Sequence, residues 1–562
     1  MRPHFEVTRL AAGILALFLA WSPAAGLGAE PAARRPAVSS STTLRALPGD
    51  ASATLERGLD LERKRNWAGA MAIYEESLEL WPDKPEFAQR RRLCEIHHKL
   101  VKRYSDQSFR KVLLTRSREQ SLELYDEVLE RIESHYVDRV AFEGLLRRGL
   151  DNMEVALREP TFLTPNSPQA QAEQVTMFRQ QLRNRRERLN IPNRQAALAE
   201  VDAICSLGRQ ALQLSHAPIT LEFVYGACDA LDEYTSCLTP DKLDDLYAMI
   251  DGNFVGLGVE LKSDPQGILL VGVLKKGPAA EAGLKTGERI VGIGGKSIKG
   301  VSLDEVANRL QGNEGTAIDL TIQAKDTAVR DVRLVRRPVE VESVGDAKLL
   351  VNNSPIGYVQ LTGFQKTSTD ELDRAIANLQ TQGMRYLILD LRGNPGGLLN
   401  VSVEIAERFI NKGVIVSTKG RASGQTATYR ASGKAIWTMP MAVLIDRDSA
   451  SASEILAGAL KDHGRALIVG ERSYGKGSVQ SIFSLHSVQA GLKLTTAKFY
   501  SPTDRAYSEA GVDPDVPVRV VAKPVDGATP VGVSWEHLGD PDHDAVLAQA
   551  VSQARRRLSQ PR

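Results

Sequence analysis

The sequence predicts an α/β core that carries a small β domain and is preceded by a helical region. Three observations predict it. Tyr386-Leu387-Ile388-Leu389-Asp390-Leu391 and Met441-Ala442-Val443-Leu444-Ile445 are near-continuous apolar runs of strand length, as strands covered on both faces require, and helical patterns lie between such runs. From Asp251 to about Arg337, glycines punctuate short apolar runs, the mark of a small β domain. Residues 51–220 instead look helical.

The chain has 562 residues, enough for several domains and a sizeable core. Its 71 basic and 69 acidic residues give a net charge of +2, so there is no electrostatic footprint for nucleic acid and no such partner is expected. Arg2 and Arg9 precede an apolar stretch from Leu10 to Trp21, and small residues follow to Leu27-Gly28-Ala29. This reads as a secretory signal over 1–29, cleaved after Ala29, which places the body outside the cytoplasm, periplasmic or secreted. An uncleaved anchor is the alternative, and it is the one route to membrane association, because no other segment is apolar for long enough to span.

Residues 30–50, rich in Ala, Pro, Ser and Thr, read as a linker. The helical region is taken as 51–250. Gly58, Ala70, Tyr74 and Pro82 suggest a single tetratricopeptide-like hairpin over about 51–84, and a plain helical hairpin is the simpler reading of one copy. Leu122, Tyr125, Val128, Leu129, Ile132 and Tyr136 form one helix face. Residues 166–215, rich in Gln, Arg and Ala, read as solvated helix. Four cysteines show no metal-ligand pattern. Cys228 and Cys237 are the nearest candidates for a disulfide, with free buried thiols equally compatible.

The small β domain is set at 251–337, with short helices at 279–282 and 303–310. The core is set at 338–520: a strand at Ile356–Leu361, a helix over 369–382, the two apolar strands, and then a helix beginning near Ser451. A tail over 521–562 closes with a helix at 542–558.

Two short runs carry the chemistry. Asp448-Ser449-Ala450-Ser451-Ala452-Ser453-Glu454-Ile455 places serines where a strand turns into a helix, at the helix end that favours negative charge. Ser451 with Glu454 also fits an S-x-x-E capping box, a purely structural use that does not exclude catalysis. From the residues alone, Ser449 and Ser453 remain alternative nucleophiles. Tyr474-Gly475-Lys476-Gly477-Ser478-Val479-Gln480 places a lysine in a glycine-flanked turn. An exposed lysine, with its pKa near 10.4, is no base at neutral pH, but desolvation lowers that value by several units. Gln480 can orient the amine. No histidine sits in a triad motif, and His463, His486 and His537 have no surrounding signature. Gly393-Asn394-Pro395-Gly396-Gly397, after a buried strand, is either a tight turn or a loop whose N–H groups hold an oxyanion.

Residues from about 120 to 520 resemble the C-terminal processing peptidases, or tail-specific proteases, with a PDZ domain ahead of the protease core. Five ordered segments carry the resemblance: Gly252 to Val259, Gly277 to Leu284, the DLRxNPGG-like run from Asp390 to Gly397, the serine cluster with Gly475-Lys476-Gly477, and Gly511 to Val516. The resemblance implies a crotonase/ClpP-like protease core. The family spacing, with the nucleophile 25 residues before the lysine, implies Ser451 as nucleophile, Lys476 as general base and Gln480 as the residue orienting it. It implies an oxyanion hole at the N–H of Ala452 and of one glycine of the pair Gly396 and Gly397, with Gly397 favoured. It also implies that Gly256, Leu257, Gly258 and Val259 hold the substrate's terminal carboxylate. Asp448 stands where the family usually has glycine. The family's Leu-Asp-Pro-His-Ser-like segment survives only as Leu231-Asp232-Glu233-Tyr234-Thr235, and residues 160–220 look inserted.

The expected activity is therefore a serine endopeptidase acting on polypeptides with exposed C-termini, with neither metal nor organic cofactor implied. A tail-binding PDZ scaffold without catalysis would show a broken dyad, and a helical-repeat adaptor would show several repeats. The sequence leaves oligomeric state open, with the helical ends as surfaces for assembly.

Overall fold

The computed structural model describes residues 50–560 and the two-residue strand β1 (Ala16–Leu17), apart from 265–266, 275, 302, 313, 325–327, 351–354, 509 and 519–538. The rest of the expected signal and linker lies outside the described residues.

The helical region of the described chain holds ten α-helices, α1 (Ala51–Arg63), α2 (Trp67–Leu80), α3 (Pro85–Ser105), α4 (Arg118–His135), α5 (Phe142–Ala156), α6 (Pro160–Asn166), α7 (Ala172–Glu187), α8 (Arg194–Leu212), α9 (His216–Asp229) and α10 (Pro240–Ile250), and a π-helical turn at Phe109–Leu113. Local chemistry sets their starts. Asp50, Asn66 and Asn193 cap α1, α2 and α8 by accepting from backbone N–H groups, and Pro85 opens α3. In the α1–α2 hairpin, a Cβ on Gly58 would lie 2.3 Å from the Tyr74 ring, so the absent side chain is what lets the helices close. Residues 166–215 differ from the solvated helix expected of them. α7 buries Val175, Phe178 and Leu182, and α8 buries Ala197, Val201, Ile204, Cys205 and Leu212. Their many arginines hid an apolar face narrow enough to escape a compositional reading. All four cysteines are free, buried thiols.

α10 leads into a two-stranded ribbon. β3 (Asn253–Gly256) enters the small β domain and pairs antiparallel with β10 (Arg337–Glu340), which leaves it. Between them run β4 (Val259–Asp264), β5 (Gly267–Val273), α11 (Pro278–Glu281), β6 (Arg289–Ile293), β7 (Lys296–Ser297), α12 (Leu303–Leu310), β8 (Ala317–Gln323) and β9 (Val329–Val335), with the main strands ordered β4-β5-β6-β8-β9. Alternation along β8, with Ile318, Leu320 and Ile322 inward, fixes which face packs on Leu270, Ile290 and Val306.

The α/β core holds two sheets. One runs β11 (Val344–Leu349), β12 (Ile356–Leu361), β13 (Tyr386–Asp390), β16 (Met441–Ile445), β17 (Leu467–Gly470) and β20 (Val516–Pro517), parallel from β12 onward. Its connections are α13 (Ser368–Thr381), α14 (Leu399–Phe409) and α15 (Ala452–Asp462). The other holds β18 (Ser478–Ser484), β19 (Gly491–Tyr500), β14 (Lys412–Gly420) and β15 (Ala427–Ser432), with β1 on β18 and β2 (Ser236–Leu238) on β19. Leu387, Leu389, Val443 and Ile445 face α13–α15 and the second sheet. Ile388, Ala442 and Leu444 face the opposite way, onto the C-terminal helix α16 (Ala545–Ser559). Both faces are covered, which is why these strands read as unbroken apolar runs.

Candidate active site

The three loops that carry the predicted catalytic residues leave the C-terminal ends of three adjacent parallel strands. β13 leads to the 393–397 glycine loop, β16 leads to Ser451, and β17 leads to Lys476. Such strand ends are where open parallel sheets place their ligands.

Ser451 stands at the N-cap of α15 with φ of +61°, one of four non-glycine residues with positive φ among the described residues. Strain of this kind concentrates at functional positions. Glu454 Oε2 accepts from Ser451 N–H at 2.7 Å in the expected capping-box arrangement, and Ser451 Oγ is buried with no partner in hydrogen-bond geometry among the described residues. The neighbouring serines are engaged. Ser449 Oγ donates to Leu391 O at 2.8 Å, and Ser453 Oγ donates to Asn394 O at 2.9 Å. The structure therefore separates three hydroxyls that the sequence left equivalent.

The glycine loop is laced to this turn. Asn394 O also accepts from Ala450 N–H at 3.1 Å, and Asn394 Nδ2 donates to Leu361 O at 2.7 Å. Gly396 N–H donates to Asn394 Oδ1 at 2.8 Å, so it is occupied; of the two candidate glycines, Gly397 is the one this bond leaves available. A Cβ on Gly396 would lie 2.9 Å from both Ser451 Cβ and Ala452 N, so the loop touches the nucleophile turn directly. Gly396, Ala452 and Ser451 thus meet at one point, with Gly397 the next residue of the loop. Asp448, the departure from the family's glycine, is exposed, and its N–H donates to Asp446 Oδ1.

Lys476 is 3% exposed. Burial, helped by the neighbouring charge of Lys493, pushes its amine down to about 7, against the partial pull of Glu233, Glu454 and Asp232. Its Nζ lies 4.6 Å from the centre of the Tyr234 ring. Gln480 is buried on β18, and its Nε2 donates to Ser478 Oγ at 3.0 Å and Thr495 Oγ1 at 3.2 Å, which turns Oε1 toward the remaining side.

Ser451 and Lys476 are joined by a residue read from sequence only as a cap. Glu454 Oε2 accepts from Lys476 N–H at 2.9 Å as well as from Ser451 N–H, and Oε1 accepts from Gly475 N–H at 2.7 Å and Ser473 Oγ at 2.6 Å. One carboxylate oxygen thus fixes the backbone of both Ser451 and Lys476. Burial pushes the Glu454 carboxyl up, and its four donors oppose that. The S-x-x-E spacing was the available signal. Tyr234 was also visible, as part of the degenerate 231–235 segment, whereas Lys493 gave no signal. Two of the histidines set aside above lie elsewhere: His463 contacts Val414 O and His486 contacts Glu127, while His537 is outside the described residues.

Gly256 to Val259 lie apart from this cluster, in the small β domain. Leu257 and Gly258 form the turn between β3 and β4, where Leu257 O accepts from Ala279 N–H and Gly258, at φ +74°, passes a Cβ's breadth from Gly277. Among the described residues, no group of His, Cys, Asp and Glu is arranged to hold a metal.

This arrangement is that of a serine hydrolase built on an α/β core. The model of peptidase family S41 matches residues 355–518, and a PDZ-domain model matches 270–324. The chain is 36% identical over 287 residues to a carboxyl-terminal-processing protease of a Picosynechococcus species, covering 50% of this chain and 69% of the relative. It is 38% identical over 303 residues to a carboxy-terminal-processing protease of Bartonella bacilliformis, covering 53% and 68%. A solved photosystem II D1 C-terminal processing protease is 27% identical, covering 72% of this chain and 95% of that one, with a TM-score of 0.39. The chain belongs to the carboxyl-terminal-processing proteases of peptidase family S41 and is a serine-type peptidase with a PDZ domain.

Proposed function

We propose that this peptidase is a secreted or periplasmic endopeptidase that selects polypeptides by their C-terminal tails and cleaves them through an acyl-enzyme on Ser451, with Lys476 as general base. The observation that carries the reading is the unengaged Ser451 hydroxyl, tied through Glu454 to a lysine whose amine is held near neutrality.

Neutral Lys476 takes the proton from Ser451 Oγ as that oxygen attacks the peptide carbonyl carbon. The oxyanion is met by the N–H groups of Ala452, on the first turn of α15, and Gly397. The Lys476 ammonium then returns the proton to the leaving amine. Water, deprotonated by the same lysine, releases the acyl group. Gln480 Oε1 accepts from the ammonium when it forms. Transfer requires Nζ and Oγ within about 2.6–3.2 Å. The Ser451 hydroxyl makes no hydrogen bond among the described residues, so this mechanism requires substrate engagement to bring the two atoms together.

For tail selection, β4 is an end strand of its sheet with α12 beside it, a place for an extended peptide to add as a strand. The turn around Gly256, Leu257, Gly258 and Val259 would meet the terminal carboxylate. For location, support comes from the charged and apolar pattern of residues 2–29.

Ser451→Ala should lower cleavage of an unstructured, apolar-tailed peptide by about a thousandfold or more while tail binding persists. Equal activity in mutant and wild type removes Ser451 from the role. Amidating the peptide's C-terminus should weaken capture, and indifference to amidation would remove the PDZ turn from carboxylate recognition. Cell fractionation should find a chain beginning at Glu30 outside the cytoplasm; a cytoplasmic chain that keeps residues 1–29 overturns the location.

A further inference from the structure

We propose that the helical region holds a second site, built without any residue of the peptidase core, that binds an oxyanion of the phosphate class. A cavity of about 410 Å³ opens where α3, α5, α7 and the loop before α5 converge. That is an ordinary volume for a small-molecule site. Five arginines line it: Arg92 from α3, Arg139 from the loop, Arg147 and Arg148 from α5, and Arg186 from α7. Asp151 is the one carboxylate in the lining. It is engaged by Arg186, with Arg92 at 3.8 Å, while Arg147 is held at 2.8 Å by Glu143 one turn before it. Cationic groups remain in clear excess.

Arg148 is the decisive residue. It is 5% exposed, and its Nε and Nη1 make no hydrogen bond among the described residues. Asp229, the acid whose charge bears on it most, is bound at 2.8 Å by Lys99. A buried guanidinium with unfilled donors is strongly unfavourable unless something meets it. Guanidinium groups pair well with phosphoryl oxygens, and the surrounding arginines suit a dianion better than a single carboxylate. A soluble phosphate ester and a lipid phosphate headgroup present the same chemistry.

Gly144 permits a test that spares the fold. It is the third residue of α5, lies on the cavity lining, and a Cβ there meets nothing within 4 Å. In Gly144→Glu the new carboxylate sits in the first helical turn and one turn before Arg148, favourable on both counts, and it occupies the guanidinium in the ligand's place. Titration calorimetry of the full-length protein with inorganic phosphate, at ionic strength held constant with chloride, should show saturable binding. Binding should fall about tenfold or more in Gly144→Glu and in Arg148→Met. Should Arg148→Met fail to fold, Gly144→Glu decides. No saturable binding to the wild type, or undiminished binding in Gly144→Glu, overturns the proposal. Co-sedimentation with phosphatidylcholine vesicles, with and without phosphatidic acid, assigns the source. Capture that needs phosphatidic acid and is lost in Gly144→Glu identifies a headgroup, and phosphate binding without vesicle capture identifies a soluble ester.

Discussion

At the residue scale, Lys476 links chemistry to stability through a single proton. Its folded pKa is about 7 against an ordinary 10.5, so between those values the unfolded chain binds more protons than the folded one. Stability therefore rises with pH across that window, and below about pH 7 the cost of the buried ammonium is felt in full, at about 1.4 kcal/mol per unit of depression. Lys476→Met should stabilise the protein by a few units of that size at pH 6, with the gain fading toward pH 10; denaturant melts at several pH values measure it. In the proposed mechanism the same proton governs turnover, so kcat/KM should rise with pH through an inflection near 7, and a flat profile there would exclude lysine as base. Glu454 acts through the other two residues. Glu454→Gln replaces its doubly accepting carboxylate by an amide with one acceptor, and misplacement of the dyad by about 1 Å should lower kcat on the order of a hundredfold. Tail affinity, which the proposed function assigns to the PDZ domain, should stay unchanged.

At the element scale, the glycine loop and α15 hold each other. Their contact leaves no room for a side chain at Gly396, where φ is +103°. The first residues of the same signature serve a different element. Arg392 is buried and forms paired bonds to Asp544 at 2.8 and 2.6 Å, and it also binds Asp390, which in turn accepts from Tyr358 Oη at 2.8 Å. Asp544 caps α16 by accepting from Leu547 N–H. The clamp thus fastens the C-terminal helix to the strand that feeds the 393–397 glycine loop. Arg392→Met would leave two carboxylates buried without their cation and should destabilise the protein by about 3–5 kcal/mol, read as a lowered denaturation midpoint.

At the scale of the whole molecule, the helical region is part of the peptidase. Leu485, Val488, Leu492 and Leu494, from the β18–β19 hairpin, share one apolar cluster with α4, α5, α8 and α9. Val137 N–H donates to Thr495 O at 2.9 Å, and Glu127 accepts from His486 N–H and Ser487 N–H. Thr495 in turn holds the Gln480 amide. Leu494→Ala should therefore cost about 2–5 kcal/mol of stability and lower kcat along with it, measured by urea denaturation and by steady-state kinetics. The PDZ domain joins the rest differently, through the β3–β10 ribbon and bonds such as Val341 N–H to Gly252 O.

The apolar runs at 386–391 and 441–445, the helix at 303–310 and the serine and lysine motifs were legible because each is written in contiguous residues with a short-range physical signature. The arginine-rich helices α7 and α8 were misread because their few apolar residues count only once a partner face is known. By itself the sequence determined the elements, the family and a short set of candidate groups. Tertiary structure alone decided which of three serines keeps an unengaged hydroxyl, that Gly396 N–H is occupied, that Glu454 ties Ser451 to Lys476 and that α16 closes the outer face of the sheet. The reason is that burial and hydrogen-bond occupancy depend on groups far apart in the chain, such as Ser449 with Leu391 or Arg392 with Asp544, and those pairings exist only when the strands lie side by side.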